Sequence, residues 1–368
     1  MKNNSQLIGF VRNALCITAL LASSANAAEL TIGAIMPLSG PAATYGQSFN
    51  NVVPIAKDAL EKEGVNLVVI SEDGAADVPT SIAAYNKLVR VNKVPAIINS
   101  VSPVVLALGP MGERDKVVLV NSMAADPAIA KIGPHTFSTM PSYKIESVDA
   151  ANYAYKQGAR TVVGIYQDTA SGRSGWDVFK PAFEALGGKV IGAEAFRAGA
   201  TEYRAQLTRA TTNNPDMIYL ASYAAETGRI LSQAERMGLK VKMIGNVAAS
   251  QPETINIGGS GAEGFVHAAW PFDPENGSPA MKQFGAAYKA KYGSLPTVYA
   301  ATSYDALIAL GRAAKSGAKT SEQFQQYLQK MGEVEGVTGH WHFDESGQIV
   351  LKTRFVEIKN GKRVMRAN

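Results

Sequence analysis

Short apolar, β-branched runs alternate with helix-length amphipathic segments from about residue 30 onward, and this alternation limits the possible folds more than any other feature. Parallel strands cannot be joined by tight turns, so this rhythm is typical of strands connected by crossover helices. The predicted strands form two series, at 30–37, 66–71, 96–99 and 117–121, then at 161–166, 190–194, 217–221 and 241–245. The chain is therefore predicted to be an α/β protein with two similar halves.

The rhythm changes after residue 264. Helices are predicted over 279–292 and 298–316, and the end of the chain has the pattern of strands around a turn at 344–347. These late elements must pack on the two halves, so the chain is predicted to cross between them more than once. Ligands of open parallel sheets bind beyond the carboxyl ends of the strands, so a ligand is expected between two facing lobes.

Residues 1–27 have the features of a cleavable export signal. Basic side chains at Lys2 and Arg12 are followed by a short apolar stretch and an Ala-Asn-Ala sequence of the kind that signal peptidase cuts. The apolar stretch has about half of the roughly 20 residues that a membrane-spanning helix needs. The mature protein is expected to begin at Ala28 and to be soluble in the periplasm.

Composition argues against several other classes of protein. Cys16, the only cysteine, lies in the predicted signal and follows Leu15 rather than the small residue that lipidation requires, so neither a disulfide nor a lipid anchor is expected. The formal charge of +5 falls to +3 once Lys2 and Arg12 are removed, and no run of basic residues indicates a nucleic-acid or membrane surface. About 341 residues remain, enough for two domains.

Two motifs that could indicate an enzyme or a metal site lack the necessary context. The segment 259–264 matches G-x-G-x-x-G but precedes a strand-like run instead of opening a helix, which indicates a loop. His340 and His342 would share one face of a strand, but no Cys, Asp or Glu cluster nearby completes a zinc site. Without a G-x-S-x-G elbow or a Walker loop, an exported enzyme is disfavoured.

Several short motifs occur in the order that they have in the branched-chain-amino-acid-type periplasmic binding proteins of ABC transporters. They are Met36-Pro37-Leu38-Ser39-Gly40-Pro41 with Tyr45-Gly46, Asn99-Ser100-Val101-Ser102-Pro103, Ser171-Gly172-Arg173, Glu184-Ala185-Leu186-Gly187-Gly188-Lys189-Val190, Asn214-Pro215-Asp216, Ala262-Glu263-Gly264 and Tyr304-Asp305-Ala306. Each motif is weak alone, but together they are colinear over nearly the whole mature chain. The sequence therefore resembles this family.

The resemblance implies a type I periplasmic binding protein fold, with two doubly wound α/β lobes joined by three hinge crossings near 139–142, 270–272 and 337–340. The implied organisation is a signal peptide at 1–27, a first lobe at 28–139 plus 272–337, and a second lobe at 140–271 plus 338–368. Members of the family close their lobes around a ligand and catalyse nothing. The protein is thus expected to be a monomer without cofactor or metal that serves an ABC permease in the inner membrane.

The resemblance also implies the ligand-binding residues. The hydroxyl of Ser102 and the backbone amides of Ala124 and Ala125 would hold a ligand carboxylate, because such groups at strand ends attract anions. Alternatively, Ser102 caps the helix that follows it. The remaining implied residues of the cleft are Tyr45, Ser171, Tyr223 and Val247.

Aromatic residues give a weaker indication of the shape of the cleft. Tyr45 and Tyr223 match positions that line it, and each could stack on a ring or simply pack in the core. Trp270 falls near a hinge and Tyr299 near a lobe edge. Ser171 stands where many relatives carry Tyr, which would leave room for a larger ligand.

Two positions depart from the amino-acid-binding members of the family. Those members hold the ligand ammonium with a Thr hydroxyl and an acidic side chain, where this chain has Ala125 and Val247. An unpaired buried cation is severely destabilising, so an aromatic, keto or short-chain carboxylate is favoured over an amino acid. A shift of the alignment by one or two residues would instead bring in Asp126. Binding of a branched-chain or other amino acid or amide, and a ligand-sensing role, remain alternatives.

Overall fold

The structure of the protein, a computed structural model, describes residues 27–40 and 42–366. Most of the predicted signal, with Cys16, lies outside the described residues. The helices are α1 Ala43–Lys62, α2 Val78–Asn86, α3 Ser102–Asp115, α4 Tyr143–Lys156, α5 Ala170–Ala185, α6 Arg204–Thr211, α7 Ala224–Arg236, α8 Pro252–Gly258, α9 Pro279–Tyr292, α10 Val298–Lys315 and α11 Ser321–Lys330. The strands are β1 Ala28–Met36, β2 Val65–Asp73, β3 Ala96–Asn99, β4 Val118–Asn121, β5 Thr136–Ser138, β6 Thr161–Gln167, β7 Lys189–Phe196, β8 Met217–Ala221, β9 Lys242–Gly245, β10 Val266–Ala269, β11 Val334–Gly336, β12 Gly339–Phe343, β13 Ile349–Val350, β14 Arg354–Lys359 and β15 Lys362–Met365.

The first lobe is built on a five-stranded parallel sheet in the order β2-β1-β3-β4-β5. Its central strands are buried on both faces because α1 and α10 cover one side while α2 and α3 cover the other. This double cover explains the continuous apolar runs that predict these strands. The strand order reverses between β1 and β3, so the loops that follow these two strands diverge and leave a crevice.

The second lobe repeats this design in a seven-stranded sheet ordered β15-β14-β10-β9-β8-β6-β7. Strands β6 to β10 are mutually parallel, whereas β14 and β15 add an antiparallel edge. The order reverses between β6 and β8, which makes a second crevice of the same kind. The four strands predicted in each half are all present, and the α/β fold with two lobes is confirmed.

The late helices return to the first lobe, since α10 packs against α1 and α11 against β4. The strands β11, β12 and β13 form a small third sheet, in which β12 buries alternate residues and exposes His340 and His342 on one face. This sheet also joins the first lobe, because the Ser138 amide of β5 donates to the Gly347 carbonyl at 2.8 Å.

The third crossing between the lobes therefore differs from the predicted one at 337–340. Residues 338–350 belong with the first lobe, and the chain enters the second sheet only at β14. The cause is the buried carboxylate of Asp305 in α10. It accepts hydrogen bonds from the amides of Val337 and Thr338 at 2.9 and 3.0 Å and from the indole of Trp341 at 3.2 Å.

Candidate ligand-binding site

The predicted cleft residues follow the strands that flank the two crevices. Tyr45 and Ser102 come after β1 and β3 in the first lobe, while Ser171 and Tyr223 come after β6 and β8 in the second. The carboxyl ends of these strands are where α/β sheets bind ligands. Residues of the two lobes interact across this site. Burial raises the pKa of Tyr45 in the first lobe, and the nearby phenol of Tyr223 in the second lobe raises it further.

Four tyrosines from the two lobes share this site: Tyr45, Tyr143, Tyr223 and Tyr299, here called the tyrosine group. The rings of Tyr45 and Tyr299 meet edge to face, with centroids 5.0 Å apart. Burial and then the phenols of the other three members raise the pKa of Tyr299. The group therefore supplies both aromatic surface and hydroxyls to the site.

Tyr143 is a member of this group that the sequence analysis missed. It is the first residue of α4, and the Ser171 hydroxyl donates a hydrogen bond to its phenol oxygen at 2.6 Å. Because Tyr143 is the acceptor in this bond, its own hydroxyl hydrogen is left to donate elsewhere. Ser171 thus acts as a polar partner within the cleft as well as leaving space there.

Ser102 does not cap the helix that it begins. It is the first residue of α3, the N-cap position belongs to Val101, and no side chain caps this helix end. Val101 has φ of 57°, which is unfavourable for a β-branched residue and costs about 1–3 kcal/mol. The Ser102 hydroxyl bonds to no other described group. The amides of Val104 and Val105 in the same turn donate to the Val101 carbonyl at 3.1 and 3.0 Å.

The loop after β4 is organised by one buried side chain. The Asn121 amide oxygen accepts from the backbone amides of Met123 at 3.2 Å and Ala124 at 2.8 Å, and its nitrogen donates to the Ala124 carbonyl at 2.6 Å and the Ser138 hydroxyl at 2.7 Å. The amide of Ala124 is thus already occupied, contrary to its predicted role. The amide of Ala125 donates to no other described group and is left for a ligand.

Next to this loop, two buried polar side chains have no partner among the described residues. Asn99, 0% exposed, lies in register with Asn121 on the neighbouring strand, and neither end of its amide is hydrogen-bonded. The hydroxyl of Ser100 is also unpartnered and buried. Buried polar groups of this kind normally bond to water or to a ligand. In the sequence, only their position at the end of a strand could have indicated that they belong to the site.

The second lobe places a carboxyl group where the sequence shows only Val247. The Val247 amide donates to Glu146 Oε2 at 2.9 Å, although the two residues are separated by 101 positions. Glu146 is 1% exposed, and its Oε1 has no partner among the described groups. Burial raises the pKa of Glu146 to about 8, so this carboxyl is mostly protonated at neutral pH.

Asp126, the alternative ammonium ligand, takes part in local structure. Its carboxylate accepts from the Ala128 amide at 2.9 Å and caps the turn at Pro127–Lys131. Within 27–40 and 42–366, none of the ion pairs involves the cleft residues, and no group of His, Cys, Asp or Glu could hold a metal ion. No helix in these ranges is long and apolar enough to cross a membrane.

Comparisons with known proteins agree with this architecture. The model of the periplasmic binding protein family matches residues 29–363. A Leu/Ile/Val-binding protein of Citrobacter freundii is 26% identical over 95% of this chain and 94% of its own. A leucine-binding protein from Thermotoga maritima is 27% identical, with a TM-score of 0.78 over 92% of this chain and 98% of its own. A Streptococcus pneumoniae substrate-binding protein solved with isoleucine is 25% identical, with a TM-score of 0.78 over 92% and 100%.

Proposed function

This chain belongs to the periplasmic binding protein family and is a substrate-binding component of an ABC transporter rather than an enzyme, and we propose that its ligand is a small carboxylic acid without an α-ammonium group. The ligand is an aromatic, keto or short-chain acid. The ligand is captured when the two lobes close, and the closed protein delivers it to a permease in the inner membrane. The mature protein starts at Ala28 in the periplasm and acts as a monomer.

One observation carries this proposal. The cleft has hydrogen-bond donors that suit a carboxylate, and two positions where a ligand ammonium would need a polar partner carry apolar side chains instead. On the first lobe, the Ser102 hydroxyl and the Ala125 amide are free to donate to an anion. Charged acceptors make such hydrogen bonds about twice as strong as neutral ones. At the positions where amino-acid binders would hold an ammonium, the side chains of Ala125 and Val247 are apolar and buried.

The tyrosine group favours an acid that carries a ring. Its members combine apolar faces with hydroxyls, and Tyr45 and Tyr299 already pack edge to face, the kind of contact that a ring of the ligand could also make. Ser171, in place of a large side chain, adds space beside Tyr143. An aromatic ring can therefore be enclosed without burying a charge at that end.

A second candidate ligand is an amino acid, and a specific observation favours it. Glu146 brings a carboxyl group to the backbone of Val247, where an acidic side chain was expected and not found. The similar proteins named above bind branched-chain amino acids by their descriptions. An ammonium group could use this carboxyl only after displacing its proton, which makes the amino acid the weaker ligand near pH 7.

Titration calorimetry with phenylpyruvate and phenylalanine at pH 7 tests the proposal, because the two ligands differ mainly in the α-substituent. The acid is expected to bind at least about 10-fold more tightly, since ionising a group with a pKa of about 8 at pH 7 costs about one decade. The double variant Ala125→Thr with Val247→Glu should shift the preference towards phenylalanine. Tighter binding of phenylalanine by the unmodified protein contradicts the proposal.

A further inference from the structure

Glu146 is a buried acid without a cationic partner. It lies one turn after Tyr143 on the same helix, and its Oε2 is bound only by the Val247 amide. The phenols of Tyr143 and Tyr219 are the titratable groups that interact with it. His267 on the adjacent β10 adds no positive charge, because burial lowers its pKa to about 4.

The surroundings of Val247 contain two buried side-chain oxygens without a hydrogen-bond partner among the described groups. Glu146 Oε1 has no partner among the described groups, and neither has Oδ1 of Asn246, which is 7% exposed. Native proteins rarely leave such atoms unsatisfied. Both belong to residues that adjoin the Val247 backbone, so an ammonium group arriving there could donate to the Asn246 oxygen and, once Glu146 has lost its proton, to its carboxylate.

The charge of the ligand decides the state of this carboxyl. A buried carboxyl with no cation nearby is more stable as the neutral acid, because the charged form loses its hydration. An ammonium group brought beside it reverses that preference, since opposite charges within about 4–6 Å favour ionisation. An anionic ligand reinforces the neutral form by repelling a second negative charge.

We propose that Glu146 reads the charge of the ligand, keeping its proton when an acid without an ammonium group binds and releasing it when an ammonium group binds beside Val247. This inference rests on the ligand cleft of the proposed function. It makes Glu146 the residue that determines specificity in the second lobe. It also predicts that the preference between acid and amine changes with pH, which a merely structural glutamate would not cause.

Titrations of phenylpyruvate, phenylalanine and leucine over pH 6 to 8 test the proposal. Binding of either amino acid should tighten as pH rises, nearly 10-fold per unit well below the pKa of about 8, because the ionised fraction of Glu146 grows in that proportion. Binding of phenylpyruvate should stay constant or weaken. The number of protons released per amino acid, measured in buffers of different ionisation enthalpy, should approach one at pH 7.

Glu146→Gln provides the decisive variant, because it preserves the shape of the side chain and an acceptor for the Val247 amide. The variant should lose the pH dependence of binding for both amino acids. Glu184→Gln makes the same substitution at an exposed position of α5 and should leave every pH profile unchanged. A pH profile that persists in Glu146→Gln, or is absent from the unmodified protein, overturns the proposal.

A ligand-free measurement checks that Glu146 is the titrating group. Because its pKa is raised in the folded state, the folded protein holds a proton that the unfolded chain loses above pH about 4.3, and stability falls as pH rises towards 8. The unfolding midpoint of the unmodified protein should therefore fall relative to Glu146→Gln over pH 5 to 8, and parallel midpoints overturn the proposal.

The outcomes separate this inference from the proposed function. If phenylpyruvate does not bind while leucine binds with proton release that Glu146→Gln abolishes, the proposed ligand class is wrong and the role of Glu146 stands. If phenylpyruvate binds and the amino acids bind without proton release, the ligand class stands and the role of Glu146 is wrong. If none of the three binds, both are overturned.

Discussion

The two walls of the cleft are built from the same kind of strand-end loops but are prepared for different tasks. On the first lobe, Asn121 satisfies the loop after β4 internally and leaves the Ala125 amide free. On the second lobe, only one of the two carboxyl oxygens of Glu146 has a hydrogen-bond partner among the described groups. Burial raises the pKa of this carboxyl to about 8. We therefore infer that the first wall offers fixed donors for an anion, whereas the second responds to the rest of the ligand.

This difference shows how one scaffold can serve different ligands. A free backbone amide in a loop that is fixed by a buried side chain needs no reorganisation when an anion arrives, so it suits a group that every ligand carries. Side chains such as Glu146 and Tyr143 can be exchanged without disturbing a strand. Specificity is therefore expected to reside in the second lobe.

Asn121→Ala should have the largest effect, because it removes four hydrogen bonds and leaves buried backbone groups unpaired. The free energy of unfolding is expected to fall by about 3 kcal/mol. Asn99→Ala is the matched control, since Asn99 lies in register with Asn121 and has no partner; its effect should stay within about 1 kcal/mol. Equal losses in guanidinium unfolding would show that the first wall does not depend on Asn121.

Ser102→Ala should have the next largest effect, on binding and not on folding. A hydrogen bond to a charged group contributes about 1.5–3 kcal/mol, so phenylpyruvate should bind roughly 10- to 150-fold more weakly. Ser100→Ala, two residues earlier, is the comparison, because that buried hydroxyl is also unpartnered. If calorimetry shows the larger loss for Ser100→Ala, the carboxylate is held deeper in the strand end than we infer.

Tyr143→Phe should have the smallest effect and probes the second wall. Losing the hydrogen bond from Ser171 and the free phenol proton should weaken phenylpyruvate binding by about 2- to 12-fold, from about 0.5–1.5 kcal/mol. Tyr153→Phe on the same helix removes a buried hydroxyl without a partner and should leave affinity unchanged. Unchanged affinity in both variants would remove Tyr143 from the site.

Much of the architecture could be predicted because it is encoded locally. Strands buried on both faces need continuous apolar runs, and each strand ends in a turn, so the strand series follow from short stretches of sequence. The cleft residues Tyr45, Ser102, Ser171 and Tyr223 are instead implied by the resemblance to the family. The roles of Ala124 and the third crossing could not be predicted in this way. They depend on the side chains of Asn121 and Asp305, whose partners are chosen by the fold.

The sequence by itself determined the α/β pattern, the order of the strands along the chain and the loss of polar side chains at Ala125 and Val247. Only the tertiary structure decided that Glu146 lies against Val247, because a contact across 101 residues leaves no periodicity or motif. It also decided that this carboxyl is buried without a counter-charge. Burial and pairing are properties of the surroundings of a group, so the charge of the second wall could be inferred only after the lobe was assembled.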